Sequence, residues 1–77
     1  MNASTARDII AASLGDSVQV RVKEFPTGDL AIKITSGAHT VAVDGNDTGG
    51  WSYTIEGRKE NAADLDTVLR AVRETIG

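Results

Sequence analysis

The order of apolar and polar residues divides the chain into stretches with helical spacing and stretches of strict alternation. The first stretch carries one mostly apolar stripe at helical spacing, made of Ala6, Ile9, Ile10, Ser13 and Leu14. Thr5 with Asp8 three residues later resembles a capping box, and Gly15 is placed as a helix stop. The pattern predicts a helix over about residues 5–14.

Four later segments alternate apolar and polar residues with the period of a half-buried strand. The residues predicted to face the core are Val18, Val20 and Val22, then Leu30, Ile32 and Ile34, then His39, Val41 and Val43, then Trp51, Tyr53 and Ile55. Turn-forming residues occur at 26–29, 36–37 and 44–50, and Gly57 is expected to end the fourth strand. These segments should form a meander.

The last segment again has helical spacing, with an apolar stripe made of Leu65, Val68, Leu69, Val72 and Ile76. We expect Asn61 to cap this helix and Asp64 to occupy its third position. The predicted order is α-β-β-β-β-α. It indicates an α+β two-layer sandwich in a single domain over residues 1–77, with both helices on one face of a four-stranded antiparallel sheet.

Composition narrows the function more than the fold. The chain has 77 residues, no cysteine and a net charge of −3, so neither disulfides nor thiolate metal sites are possible. Nucleic-acid binders usually carry a basic surplus, whereas this chain is acidic, so the charge disfavours nucleic acid as a partner. No apolar run approaches the roughly 18 residues of a membrane span, so we expect a cytoplasmic protein without a membrane partner.

The segment DGNDTGGW, residues 44–51, raises the question of a cation site. Asp44, Asn46, Thr48 and Gly49 match positions 1, 3, 5 and 6 of an EF-hand loop, but position 12 is Ile55 instead of the bidentate glutamate. The flanking segments are also predicted strands and not helices. We interpret the segment as a hairpin loop; the alternative is a weak cation site made of Asp44, Asn46 and Asp47.

The sequence contains few of the residues and motifs that catalysis requires. The single histidine, His39, has the parity of the core-facing valines, and we assign it a structural or edge role. The chain lacks a G-x-S-x-G elbow, a P-loop and a dinucleotide fingerprint. The sequence therefore predicts a protein that is not an enzyme and has no cofactor and no metal.

Two surfaces remain as candidate contact sites. The first, here called the acidic set, is predicted to bind a partner protein with a basic surface; it consists of Asp44, Asn46, Asp47, Trp51, Glu60, Asp64 and Asp66. The alternative is the outward face of the sheet, where the contact residues would be Arg21, Lys23, Lys33 and Thr35. Phe25 precedes Pro26 with the wrong parity for the core. Either it is exposed at a hairpin corner, where it would be a contact residue, or a bulge turns it inward, which is the alternative that we favour.

Size, acidity and the lack of catalytic motifs are similar to those of bacterial immunity proteins, antitoxins and phage-encoded inhibitors of host defence. That likeness implies a small non-catalytic protein-binding module that covers a partner surface. An alternative is a homo-oligomeric structural or assembly component, such as a homodimer through the open sheet face.

The element order also resembles the double-stranded-RNA-binding domain, α-β-β-β-α. In that family, lysines at the start of the final helix grip phosphates. The equivalent stretch here, ENAADLD, carries carboxylates, which disfavours RNA binding.

Overall fold

A computed structural model describes residues 2–46 and 48–76 of the chain. Its elements in order are α1 (Ala3–Leu14), β1 (Gln19–Glu24), β2 (Leu30–Ser36), β3 (His39–Asn46), β4 (Gly50–Ile55), β5 (Arg58–Ala62) and α2 (Leu65–Ile76). The predicted α+β class with an antiparallel sheet is confirmed. The predicted strand number is wrong, because the sheet has five strands and not four.

The sheet is a meander in which each strand pairs antiparallel with its neighbour in the sequence, in the order β1-β2-β3-β4-β5. Side chains of one parity on the strands meet the apolar stripes of both helices in a single core. Its buried members are Ala6, Ile10, Leu30, Ile32, Ile34, Val41, Val43, Trp51, Leu65, Val68, Leu69 and Val72. Both helices therefore cover the same face of the sheet, and neither covers the other face.

The strand missing from the sequence-based prediction begins after a two-residue turn. Glu56 and Gly57 have φ values of 52° and 81°, and Ile55 pairs with Arg58 across them. Positive φ at both central residues is the conformation of a type I′ hairpin turn. Gly57 thus reverses the chain into β5, and Asn61 pairs with Ser52 in that strand instead of capping the last helix.

Both helices begin at a different cap from the one predicted. Asn2 caps α1, since its Oδ1 accepts a hydrogen bond of 2.8 Å from the backbone N–H of Thr5. Thr5 is therefore the third residue of the helix and not its cap. Asp64 precedes α2, and its Oδ1 accepts the backbone N–H of Thr67 at 2.8 Å. In both helices, a short polar side chain satisfies an N–H group that has no partner within the helix.

The single tryptophan, Trp51, packs against a glycine on the neighbouring strand. Gly45 lies opposite Trp51 in the β3–β4 pairing, and a Cβ atom at Gly45 would lie 2.5 Å from Cδ2 and Cε3 of the indole ring. The ring therefore covers the glycine backbone and reaches the core, where Trp51 is only 6% exposed. A larger residue at position 45 would exclude the ring from this place.

Candidate functional site

The face of the sheet that the helices leave uncovered is a candidate binding surface, here called the open face. The register places on it Gln19, Arg21, Lys23, Ala31, Lys33, Thr35, Thr40, Ala42, Asp44, Ser52, Thr54, Lys59 and Asn61. Four of its residues are cations and one is a carboxylate, which gives a surplus of three positive charges on a chain whose net charge is −3. The remainder of the chain consequently carries a net −6.

The cations are gathered mainly on β1 and β2. Arg21 lies directly opposite Lys33, and both side chains are exposed. Gln19 lies opposite Thr35 in the same pair of strands. These four side chains line a cleft of about 230 Å³.

An aromatic side chain adjoins the cations at one corner. Phe25 is 39% exposed, so the expectation that a bulge turns it inward is wrong. The loop after β1 is closed by a hydrogen bond from Phe25 N–H to the Asp29 carbonyl, at 2.9 Å. The Lys23 Nζ lies 5.2 Å from the centroid of the Phe25 ring, within the range of a cation–π contact.

The acidic set does not form one surface. Asp44 lies on the open face, and Trp51 lies in the core with little exposed area. Glu60 is on the helix side of β5, opposite Tyr53, while Asp64 and Asp66 lie at the start of α2. Asp47 lies outside the described residues. The structure thus brings Asp44, Asn46 and Trp51 to one cavity and places the other three described members elsewhere.

The 44–50 segment joins β3 and β4 as a hairpin, as predicted, but the strands extend further into it than expected. Asp44 to Asn46 belong to β3, Gly50 begins β4, and Asn46 pairs with Gly50. The Asn46 Oδ1 accepts backbone N–H groups from Thr48, at 2.9 Å, and from Gly49. Its amide nitrogen donates to Asp29, and this hydrogen bond is the main cause that lowers the pKa of the Asp29 carboxyl. The side chain that would supply a ligand at loop position 3 is therefore engaged in fixing the turn.

His39 lies near one carboxylate at the opposite end of the sheet. Its Nδ1 is 4.0 Å from Glu56 Oε1, and the two side chains are 43% and 75% exposed. A solvated pair at this distance adds little stability. His39 is therefore only partly buried at the first residue of β3.

A second groove, of about 340 Å³, runs between β4–β5 and α2. Its lining is mixed and includes Tyr53, Ile55, Glu56, Arg58, Glu60, Ala71, Glu74 and Thr75. The Thr75 hydroxyl donates to the Ala71 carbonyl at 3.0 Å, so it is engaged within its own helix. The lining thus combines acidic, basic and apolar groups.

Two residues of the open face could not be assigned from the sequence. Lys59 and Asn61 lie on β5, the strand that the alternation pattern did not predict. The signal that could have found them is the pair Glu56-Gly57, since a glycine after a polar residue between two extended segments is a hairpin-turn signal.

Neither described helix has the length and apolar character to cross a membrane. No protein-family model matches the chain, and neither a curated protein nor a solved structure matches it.

Proposed function

We propose that the protein is a small non-catalytic binding module that covers an acidic surface of another protein with its open face. The supporting observation is that both helices pack on one side of the sheet, while the other side is exposed and carries four of the eight Lys and Arg residues of an acidic chain. Such an arrangement attracts a partner of opposite charge and orients it on approach.

The shape of the open face suits a protein partner. Between the cations lie short side chains, including Ala31, Ala42, Thr40 and Thr54, so another folded surface can approach the sheet closely. The exposed Phe25 stands beside Lys23 at the corner of this face. Aromatic and arginine side chains are the residues that most often contribute strongly to protein–protein binding.

Charge also separates this proposal from its competitors. Two copies meeting through their open faces would bring a surplus of three positive charges against an equal surplus, which opposes a homodimer of that kind. A long nucleic acid would meet the net −6 of the remaining surface as well as the basic face. A discrete acidic protein surface avoids both conflicts.

The test is a nuclear magnetic resonance titration of the ¹⁵N-labelled protein with polyglutamate. We expect shifts of the backbone amides of β1, β2 and β3, which weaken as salt is added. The double variant Arg21→Glu, Lys59→Glu should lose these shifts. The matched control Arg70→Glu, Arg73→Glu makes the same change of net charge on exposed positions of α2 and should keep them.

Three outcomes would overturn the proposal. Equal loss of binding in the two double variants would show an effect of net charge alone. Stronger, salt-dependent binding of a 16-base-pair RNA duplex, about the length that RNA-binding domains of this size span, would favour a nucleic-acid partner. Sedimentation as a dimer that Arg21→Glu, Lys59→Glu strengthens or breaks would favour an assembly component.

A further inference from the structure

Two like charges face each other across the first two strands of the open face. Arg21 and Lys33 are direct cross-strand partners, a position in which like charges destabilise a sheet. The carboxylate of this face, Asp44, lies opposite Ala31 and Ser52. It is the diagonal neighbour of Lys33 and lines an adjacent cavity with both cations, but it is not the direct cross-strand partner of either. Over residues 2–46 and 48–76, no carboxylate lies within 4.0 Å of the charged nitrogens of Arg21 or Lys33.

The neighbouring pair completes a square of hydrogen-bond donors. Gln19 and Thr35 are direct cross-strand partners two residues along the same two strands, which places them about 7 Å from Arg21 and Lys33. The guanidinium offers a planar fork, the ammonium three N–H donors, the amide two and the hydroxyl one. These four side chains enclose the cleft of about 230 Å³, which is large enough for the end of one anionic side chain.

We propose that the square of Gln19, Arg21, Lys33 and Thr35 binds one carboxylate side chain, Asp or Glu, of the partner protein. This inference rests on the proposed function and names the group that the open face recognises. The guanidinium of Arg21 holds the carboxylate through paired N–H···O bonds, and Lys33 supplies the second charge from across the strand pair. The bound anion then removes the repulsion between the two cations.

The residues around the square favour a carboxylate over a phosphate group of a nucleic acid. The square is flanked by Thr40 and Ala42 on β3, and the single acidic group of the face follows at Asp44. A partner can therefore place one singly charged group here and rest neutral residues on the flanking strand. A phosphate chain would need further cations along its path; Lys23 provides one on β1, and β3 provides none.

The probe is N-acetyl-glutamate amide, titrated into the ¹⁵N-labelled full chain, with inorganic phosphate in a parallel series. We expect saturable shifts of the Arg21 side-chain N–H and the Gln19 side-chain amide. Arg21→Gln and Lys33→Gln should each weaken this binding about tenfold. Lys59→Gln, the matched control that removes one charge from the same face outside the square, should change it less than twofold.

A second readout is independent of the ligand. Without any added anion, Lys33→Gln should raise the melting temperature, because it ends the repulsion with Arg21. Lys59→Gln, whose cross-strand partner is the uncharged Thr54, should not. A Lys33→Gln protein that melts at or below the wild-type temperature would contradict a destabilising repulsion between Arg21 and Lys33.

The two proposals fail in distinguishable ways. If polyglutamate perturbs the open face but the square variants behave as Lys59→Gln does, the face binds and the square is not the carboxylate site. If inorganic phosphate saturates the square at a lower concentration than the blocked glutamate, the carboxylate assignment is wrong. If polyglutamate leaves the open face unperturbed, the proposed function itself fails.

Discussion

Adding one methyl group at Gly45 tests whether the core depends on the tryptophan that covers this glycine. The new Cβ would lie 2.5 Å from two ring carbons of Trp51 and 2.8 Å from the carbonyl oxygen of Gly50. Favourable carbon–carbon contacts are at about 3.5–4.0 Å, so the ring would have to move by about 1 Å. The Gly50 oxygen belongs to the backbone of the partner strand and moves only with it.

Forcing a methyl group into a packed core of this kind costs typically about 1–3 kcal/mol. For a domain of this size, each kcal/mol lowers the melting temperature by about 4–8 °C, so Gly45→Ala should melt about 4–24 °C below the wild type. Urea unfolding followed by circular dichroism gives the free energy of unfolding. Asp44→Ala, an exposed neighbour on the same strand, is the control and should stay within about 0.5 kcal/mol.

A double-mutant cycle identifies the cause of the loss. Trp51→Leu removes the ring, so that Gly45→Ala added to it should cost clearly less than in the wild type. The reasoning would be refuted if Gly45→Ala left the free energy of unfolding within about 0.5 kcal/mol of the wild type, or if its cost were the same with and without the tryptophan.

Three further substitutions probe the remaining elements. Glu56→Asn should stabilise the protein by up to about 1 kcal/mol in thermal unfolding, since asparagine tolerates the positive φ of 52°; Glu56→Ala, which also removes the carboxylate, should not. Ile10→Ala should cost about 2–5 kcal/mol in urea unfolding, and the half-buried Ile9→Ala should cost less; equal losses would contradict the observed burial. Hydrogen bonds from the Thr67 N–H and hydroxyl lower the pKa of Asp64, so its contribution is present above about pH 4 and is lost as the pH falls through the lowered pKa. At pH 7, the melting temperature of Asp64→Ala should therefore lie below that of the wild type, with that of Asp64→Asn between them. In acid, the melting temperatures of Asp64→Asn and the wild type should converge. An Asp64→Ala protein with an unchanged melting temperature would exclude the cap.

The periodicity of apolar residues was sufficient to predict the core but not the edge strand β5. The apolar stripes on both helices and on β2 and β3 contain most of the buried residues. This is because the residues that face the core must be apolar, and they recur at the regular period of a helix or a strand. The sequence of β5, RKENA, has no such spacing, since four of its five residues are exposed at the edge. Charged residues are common on edge strands, where they discourage pairing with other chains.

The candidate contact residues show the same limit. Arg21, Lys23, Lys33 and Thr35 were predicted to share the outward face from their parity alone, and the register places them there. The facing of Arg21 and Lys33 depends on the length of the loop between their strands, which spacing within a strand does not reveal. Trp51 had the parity of a core residue and was also included in the acidic set; spacing did not decide between the two, because its burial depends on Gly45, a residue of another strand.

The sequential order of the five strands has a consequence for how the chain reaches its native state. Every pairing in the sheet joins segments separated by one short loop, so each closes with a small entropic penalty. Mostly local pairing favours rapid folding for a β-rich domain. The hairpins can form one after another during synthesis of the chain. The docking of α2 beside α1 comes last, because α2 follows all five strands in the sequence.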